Sequence, residues 1–298
     1  MSIETPPHLP FFEPFEDGQV AIANRGGSFT HENTWLAFYE AVARFSQHDL
    51  PQYAEVGVQA VGDTALVFHT YKSYPQYLAI KAMRQTLDLT GRRTNLHPVV
   101  YRKRFSRMSL AEAEEAASVN DAPVLTLPEL LEEFPNMRLF IDPKTDATAD
   151  PVAKAIIDAK VWDRVCIDSP IGSRDDKIIH QIQAKNNNQP VARTMSRREC
   201  TVALGLLAHA RYIDGDYSLV KSYIASIGAS ATLASHRISP DLIETFRDRL
   251  GVPIIGAITH PQKVSDEKIT GVANKGFDAV LGRPIGALAA AVAKTRSK

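Results

Sequence analysis

The sequence predicts an α/β protein: one (β/α)8 barrel of the TIM type, a single domain with an insertion after its second or third strand. Three observations predict it. From residue 108 onward, short apolar runs alternate with stretches of helical periodicity, the pattern of βα units with parallel pairing. No Pro/Gly/Ser-rich linker divides the chain, which favours one closed barrel over an open sheet or two cores. The length of 298 residues is near the roughly 250 that such barrels use.

Taken in order, residues 1–17 hold Pro6, Pro7, Pro10 and Pro14, which favour an extended N-terminal arm; the barrel is assigned to 18–298. Val20-Ala21-Ile22-Ala23 reads as a buried strand that stops at Gly26-Gly27. Asn33 precedes a helix whose inward face is Trp35, Phe38, Val42 and Phe45. Residues 54–59 and 64–68 read as strands around a Gly62-Asp63 turn. The stretch 71–107 has no steady period and is read as the insertion over the barrel mouth, with short helices near 75–85. Ser109 and Glu112 form a capping box for a helix at 110–118. Val124–Thr126 leads into helix 128–134. Strands then follow at 138–142, 165–168, 190–193, 211–214, 231–235, 253–258 and 277–281. The helices between and after them are at 150–161, 174–186, 197–209, 217–226, 239–249, 264–275 and 285–294.

Composition narrows the function classes. Lys+Arg and Asp+Glu are both 34, so there is no overall basic field and no nucleic-acid partner is expected. Two cysteines, Cys166 and Cys200, exclude a disulfide-built scaffold. The first residues lack the basic and apolar regions of a signal peptide. No apolar run approaches the roughly 20 residues of a membrane span. The expectation is a cytoplasmic protein.

In a (β/α)8 barrel the chemistry sits at the C-terminal ends of the strands. Those ends carry Asn24-Arg25, Glu55, His69, Asp142 with Lys144, and Asp168-Ser169. The later ones carry Arg193, Asp214, His236, Thr259 and Arg283-Pro284. Such a set suits an anionic ligand held with a divalent cation: carboxylates take the cation, Arg and Lys the phosphate oxygens, and His moves a proton. Each also has a structural reading, Glu55 in a buried salt bridge, Asp142 and Lys144 as a plain ion pair, and His69 as a satisfied buried imidazole. Gly26-Gly27-Ser28-Phe29-Thr30 lacks the last glycine of a nucleophile elbow. The basic cluster Arg92, Arg93, Arg102, Lys103, Arg104 and Arg107 reads as a solvated loop, or as a lid facing an anionic group or a partner.

These residues resemble the glycerophosphodiester phosphodiesterase family. Its opening His-Arg-Gly is matched by Asn24-Arg25-Gly26, and its Glu-Asn-Thr by Glu32-Asn33-Thr34. Its Glu-Leu-Asp-Val-Gln is matched by Glu55-Val56-Gly57-Val58-Gln59, and its Phe-His-Asp by Phe68-His69-Thr70. Thr86-Leu87-Asp88-Leu89-Thr90-Gly91, Ser109-Leu110-Ala111-Glu112 and Leu125-Thr126-Leu127-Pro128-Glu129-Leu130 follow further landmarks in order. Ile141-Asp142-Pro143-Lys144 stands where the family has Ile-Glu-Ile-Lys. The match is close through the first half and loose in the second, where Gly256-Ala257-Ile258-Thr259 and Leu281-Gly282-Arg283-Pro284 replace Trp-Thr-Val-Asn and Thr-Asp-x-Pro.

The resemblance implies metal-assisted hydrolysis of a phosphodiester, a glycerophosphodiester or lipid headgroup, with Mg2+ or Ca2+ as cofactor. It implies His69 and the Asn24 position as catalytic, Arg25 and Lys144 as substrate-binding, and Glu55 and Asp142 as metal ligands. Asn24 replaces a catalytic His and Gly57 a metal-ligand Asp, so hydrolysis is expected to be impaired and the cation weakly held or lost. Glu32 and Asp63 are the carboxylates available to substitute. The alternative is a catalytically inactive barrel that binds a phosphorylated ligand or a protein partner.

Overall fold

The computed structural model describes residues 9–28, 31–69, 108–117, 122–213, 215–235, 238–258 and 265–297. Nine strands occur in them: β1 Val20–Asn24, β2 Tyr53–Val61, β3 Thr64–Val67, β4 Arg138–Pro143, β5 Val165–Ile167, β6 Ala192–Arg193, β7 Thr232–Ser235, β8 Ile254–Ala257 and β9 Ala279–Gly282. Their order is β6-β5-β4-β2-β1-β9-β8-β7, with β3 paired only to β2. Every pair along that order is parallel. A parallel bridge between Thr194 and Ala231 joins its two ends. The eight parallel strands are those of a (β/α)8 barrel; β3 is an antiparallel addition that folds back on β2 at the Gly62-Asp63 turn.

Two buried clusters show which way each strand residue faces. One gathers Ala21, Ala23, Ala54, Val56, Leu139, Ile141, Val165 and Ile167 with helix residues such as Phe38, Leu130, Val152 and Ile178, so it is the layer between sheet and helices. The other gathers Val20, Ile22, Tyr53, Phe140, Cys166, Ala192, Ala279 and Leu281, the alternate residues of the same strands, and fills the bore. Residues 10–16 fold against that second cluster, to which Phe11 and Phe12 belong and against which Phe15 packs. They are not the extended arm that the prolines suggest: Pro10–Phe12 is a 3-10 turn and Glu13–Glu16 a helical turn, each with its proline in a first-turn position where no N–H is needed. Phe11 stacks edge-on against Tyr53 and Phe140, at 5.4 and 4.9 Å between centroids, and Tyr53 Oη donates to the Phe11 carbonyl. Apolar burial of two phenylalanines thus sets the path of this segment and closes the N-terminal end of the bore.

In place of the strand predicted at 211–214, residues 211–213 are helical. Helix Arg197–Ile213 takes them in, because no Pro interrupts it, the single Gly205 is tolerated in its interior, and the next glycine is Gly215. Val124–Thr126 makes only single bridges, to Thr34 and Leu66. The helix after β1 is Trp35–Gln47, and its buried face is Ala37, Phe38, Ala41 and Phe45. Trp35 is 39% exposed; the two alanines, not the indole, sit against the sheet. Residues 245–249 are a π-helical segment continuing helix Pro240–Glu244. The capping boxes at Ser109/Glu112 and Thr126/Glu129 are both formed. The insertion at 71–107, its short helices and its basic cluster lie outside the described residues, as do Thr70, Asp214, His236 and Thr259.

Arg164 fastens the fold between β4 and β5. Its guanidinium donates to the carbonyls of Leu131, Phe134 and Met137, at and just beyond the end of helix Leu127–Glu133, where helical partners run out. Arg164→Met keeps the stem and removes these three donations. We expect it to lower the unfolding free energy by about 1.5–3 kcal/mol in urea denaturation.

Candidate active site

Strand register and alternation assemble the site. Asn24 stands opposite Glu55, and Gly57 opposite Asp142, in neighbouring parallel ladders. Asn24 is two residues beyond Ile22, Glu55 and Gly57 two and four beyond Tyr53, Asp142 two beyond Phe140, and Asp168 two beyond Cys166. All five therefore lie on the bore side, above the apolar plug, at the C-terminal end of the barrel. Lys144 continues the β4–β2 ladder through its N–H to the Val58 carbonyl, 3.0 Å. His69 arrives from the other side, where β3 pairs with β2 and the Phe68 N–H reaches the Gly57 carbonyl at 2.8 Å.

At Gly57 three of these groups crowd together. A Cβ there would lie 2.7 Å from Lys144 Cε and 3.4 Å from His69 Cα and Cβ. Lys144 Nζ is ion-paired with Asp142 Oδ2. Arg25, at the end of β1 in a left-handed conformation (φ 53°), donates to Glu32 Oε2 at 2.8 Å. Arg283 donates to the same oxygen at 2.7 Å. Glu32 thus holds two guanidiniums side by side and is not an extra carboxylate for a cation. Asp63 is exposed in the β2–β3 turn, at the opposite end of β2 from Tyr53.

Charge and burial set the protonation of the group. Glu55 is only 6% exposed. Burial raises its carboxyl above the usual range, against the opposing pull of Lys144 and Arg25. Burial also drives His69 down to about 2, helped by the positive charges of Lys144 and Arg25, so the imidazole is neutral at physiological pH. Asp168 is raised to about 7 by burial and by the Asp142 charge; its Oδ1 accepts from the Thr194 hydroxyl.

Asn24, Arg25, Glu55, His69, Asp142 and Lys144 are therefore brought to one end of three neighbouring strands and the turn beside them. Two further mouth residues, Asp168 and Arg283, join them. Both are visible in the sequence as strand ends, and their facing follows from counting two residues on from Cys166 and Leu281. Arg193 does not join: it alternates with the bore-facing Ala192 and points into the helix layer. There it donates to Asp176 at 3.1 Å and to the Ile227 carbonyl at 2.9 Å, and it also pairs with Glu199.

The donor set does not fit a divalent cation. Mg2+ and Ca2+ take about six to eight oxygens, carboxylates foremost. Here glycine occupies the position between Glu55 and Asp142, and an ammonium already pairs with Asp142 above it. Among the described residues no group of three His, Cys, Asp or Glu side chains is placed to hold a metal.

No protein-family model matches the chain, and no curated protein matches it in sequence. Solved structures do match in shape. The glycerophosphodiester phosphodiesterase of Agrobacterium tumefaciens aligns at 18% identity over 92% of this chain and 98% of its own, with a TM-score of 0.60. A glycerophosphoryl diester phosphodiesterase of Parabacteroides distasonis aligns at 15% over 95% and 91%, with a TM-score of 0.61. A phosphodiesterase of Oleispira antarctica, solved with the product sn-glycerol-3-phosphate, aligns at 13% over 94% and 98%, with a TM-score of 0.57. The chain therefore has the fold of the glycerophosphodiester phosphodiesterases.

Proposed function

We propose that the barrel mouth binds the phosphate of a glycerophosphodiester or a related lipid headgroup and hydrolyses the diester slowly. One observation carries the reading: Arg25, Glu55, His69, Asp142 and Lys144 stand together in the order of the resembled motifs, whereas Asn24 and Gly57 occupy two positions where the family chemistry needs a titrating group and a carboxylate. Arg25 and Lys144 supply the positive charge for the phosphate oxygens. Of the positions that the resembled motifs assign, His69 is the imidazole left among the described residues, and a neutral imidazole with so low a proton affinity is a weak base and no acid. The Asn24 amide can donate and accept hydrogen bonds but cannot carry a proton. Loss of one general acid or base typically costs about 10²–10⁴-fold in rate. No helix among the described residues is long and apolar enough to cross a membrane, and both described thiols are free; we place the activity on a soluble headgroup in a reducing, cytoplasmic setting.

The test is hydrolysis of glycerophosphocholine and glycerophosphoinositol, with Mg2+ or Ca2+, beside the Agrobacterium tumefaciens enzyme. We expect saturable binding with kcat/KM lower by about 10²–10⁴-fold. Equal rates would overturn the impairment, and absence of binding would overturn the ligand. Retained binding without any turnover would give the inactive barrel its place as the correct reading.

A further inference from the structure

We propose that Lys144 takes the place of the divalent cation: its ammonium is the built-in countercharge for Glu55 and Asp142 and the cation that receives the ligand phosphate, so that anion binding needs no metal. The proposal rests on the reading of the mouth as a phosphate-binding site and adds how the charge there is supplied.

The first support is steric. A Cβ at position 57 would come within 2.7 Å of Lys144 Cε, closer than two carbons can pack. The lysine stem therefore uses the volume that a carboxylate side chain at 57 would enter, and glycine at 57 and lysine over it are one arrangement. The stem is not held there by a loose loop, because the Lys144 N–H is bonded to the Val58 carbonyl as the β4–β2 ladder continues.

The second support is charge. Lys144 is ion-paired with Asp142, and it is the strongest of the positive charges acting on Glu55. One ammonium thus serves both carboxylates that the resemblance assigns to a metal. An ammonium has three N–H donors, and the bond to Asp142 uses one of them. A dication in the same place would have to sit against this ammonium or expel it. Two carboxylate oxygens, Glu55 Oε2 and Asp142 Oδ1, are buried without a hydrogen-bond partner among the described residues; Asp168, the next carboxylate at the mouth, is engaged by the Thr194 hydroxyl, and among the described residues no third His, Cys, Asp or Glu is placed with the pair to hold a hard cation.

The experiment is calorimetric titration of sn-glycerol-3-phosphate into the full chain, in EDTA and then in Mg2+ or Ca2+. We expect the wild-type Kd to agree within about 2-fold between the two conditions, a difference well under one hydrogen bond. Lys144→Met should weaken binding in EDTA by about 10–100-fold, the range of a charge-assisted hydrogen bond. Gly57→Asp, which pushes the lysine end aside, should weaken binding in EDTA and make it respond to the cation. Wild-type binding that appears only with Mg2+ or Ca2+ would overturn the proposal and leave the phosphate-site reading standing. Absence of binding in both conditions would overturn that reading and the proposal with it. If Lys144→Met proves unfolded by circular dichroism, the wild-type comparison decides.

Discussion

The chain carrying both Asn24→His and Gly57→Asp is expected to hydrolyse glycerophosphocholine in Mg2+ with kcat/KM about 10²–10⁴-fold above wild type, more than the product of the two single gains. The imidazole at 24 would stand across the β1–β2 ladder from Glu55, whose carboxylate favours its protonated form. That restores a group able to carry a proton. By itself it acts on a phosphate held only by ammonium and guanidinium charge. The carboxylate at 57 meets Lys144 Cε, the far end of a flexible side chain, so a change of rotamer makes room. It then adds a third oxygen donor to Glu55 and Asp142 and lets a cation fix the phosphate in line. By itself it leaves proton transfer as poor as before. Groups that act on one transition state are not additive, and the four members of the cycle measured at fixed Mg2+ give the coupling directly. Full gain from Asn24→His alone would mean that Gly57 is not a lost ligand position.

Asp175→Asn is expected to stabilise the fold above about pH 8 by about 3–5 kcal/mol and to change it little near pH 4. Asp175 is fully buried at the start of helix Gly172–Gln183, and neither of its carboxyl oxygens has a hydrogen-bond partner among the described residues. Burial raises its pKa from the usual 3.8 to about 8. Arg193 pulls the other way, while Asp168, Glu199 and Asp176 add to the rise. Arg193 is already paired with Asp176 and Glu199. Between these two values the folded chain keeps a proton that the unfolded chain has lost, so stability falls as pH rises through that window and is level above it. The amide has nearly the same shape and no charge to bury, so the slope goes with the substitution. Urea unfolding of both chains near pH 4.5, 6 and 8.5 gives the comparison; parallel curves would show that Asp175 is solvated in the folded state.

Much of this architecture is legible along the chain because strand ends are local features. Val20–Ala23 breaks off into Asn24-Arg25, and Arg138–Ile141 into Asp142, each at a visible change from apolar to polar. What a single strand does not show is what lies across from it. That Lys144 fills the space over Gly57 depends on the register of β4 on β2 and on a pair in which neither residue alone is unusual. Arg193 reads as a mouth residue until its neighbour Ala192 is seen to face the bore. Tyr212-Ile213 has strand-like composition, yet helix Arg197–Ile213 extends over it, since local propensity is weak against helix continuation. The indole of Trp35 has the right spacing for burial, but Ala37 and Ala41 allow the helix to approach the sheet on a different face. Phe11 and Phe12 carry no periodic signal, and the seat of Phe11 under Tyr53 and Phe140, with Phe12 stacked on it, exists only once the bore does.

We propose that Arg25 and Lys144 form a phosphate site at the C-terminal mouth of this barrel. A crystal structure of the chain soaked with sn-glycerol-3-phosphate in EDTA tests it most directly. We expect phosphate oxygens within hydrogen-bond distance of the Arg25 guanidinium and of Lys144 Nζ, with Lys144 still lying over Gly57. A phosphate bound elsewhere, or a mouth in which Lys144 has swung away and a cation sits between Glu55 and Asp142, would contradict it.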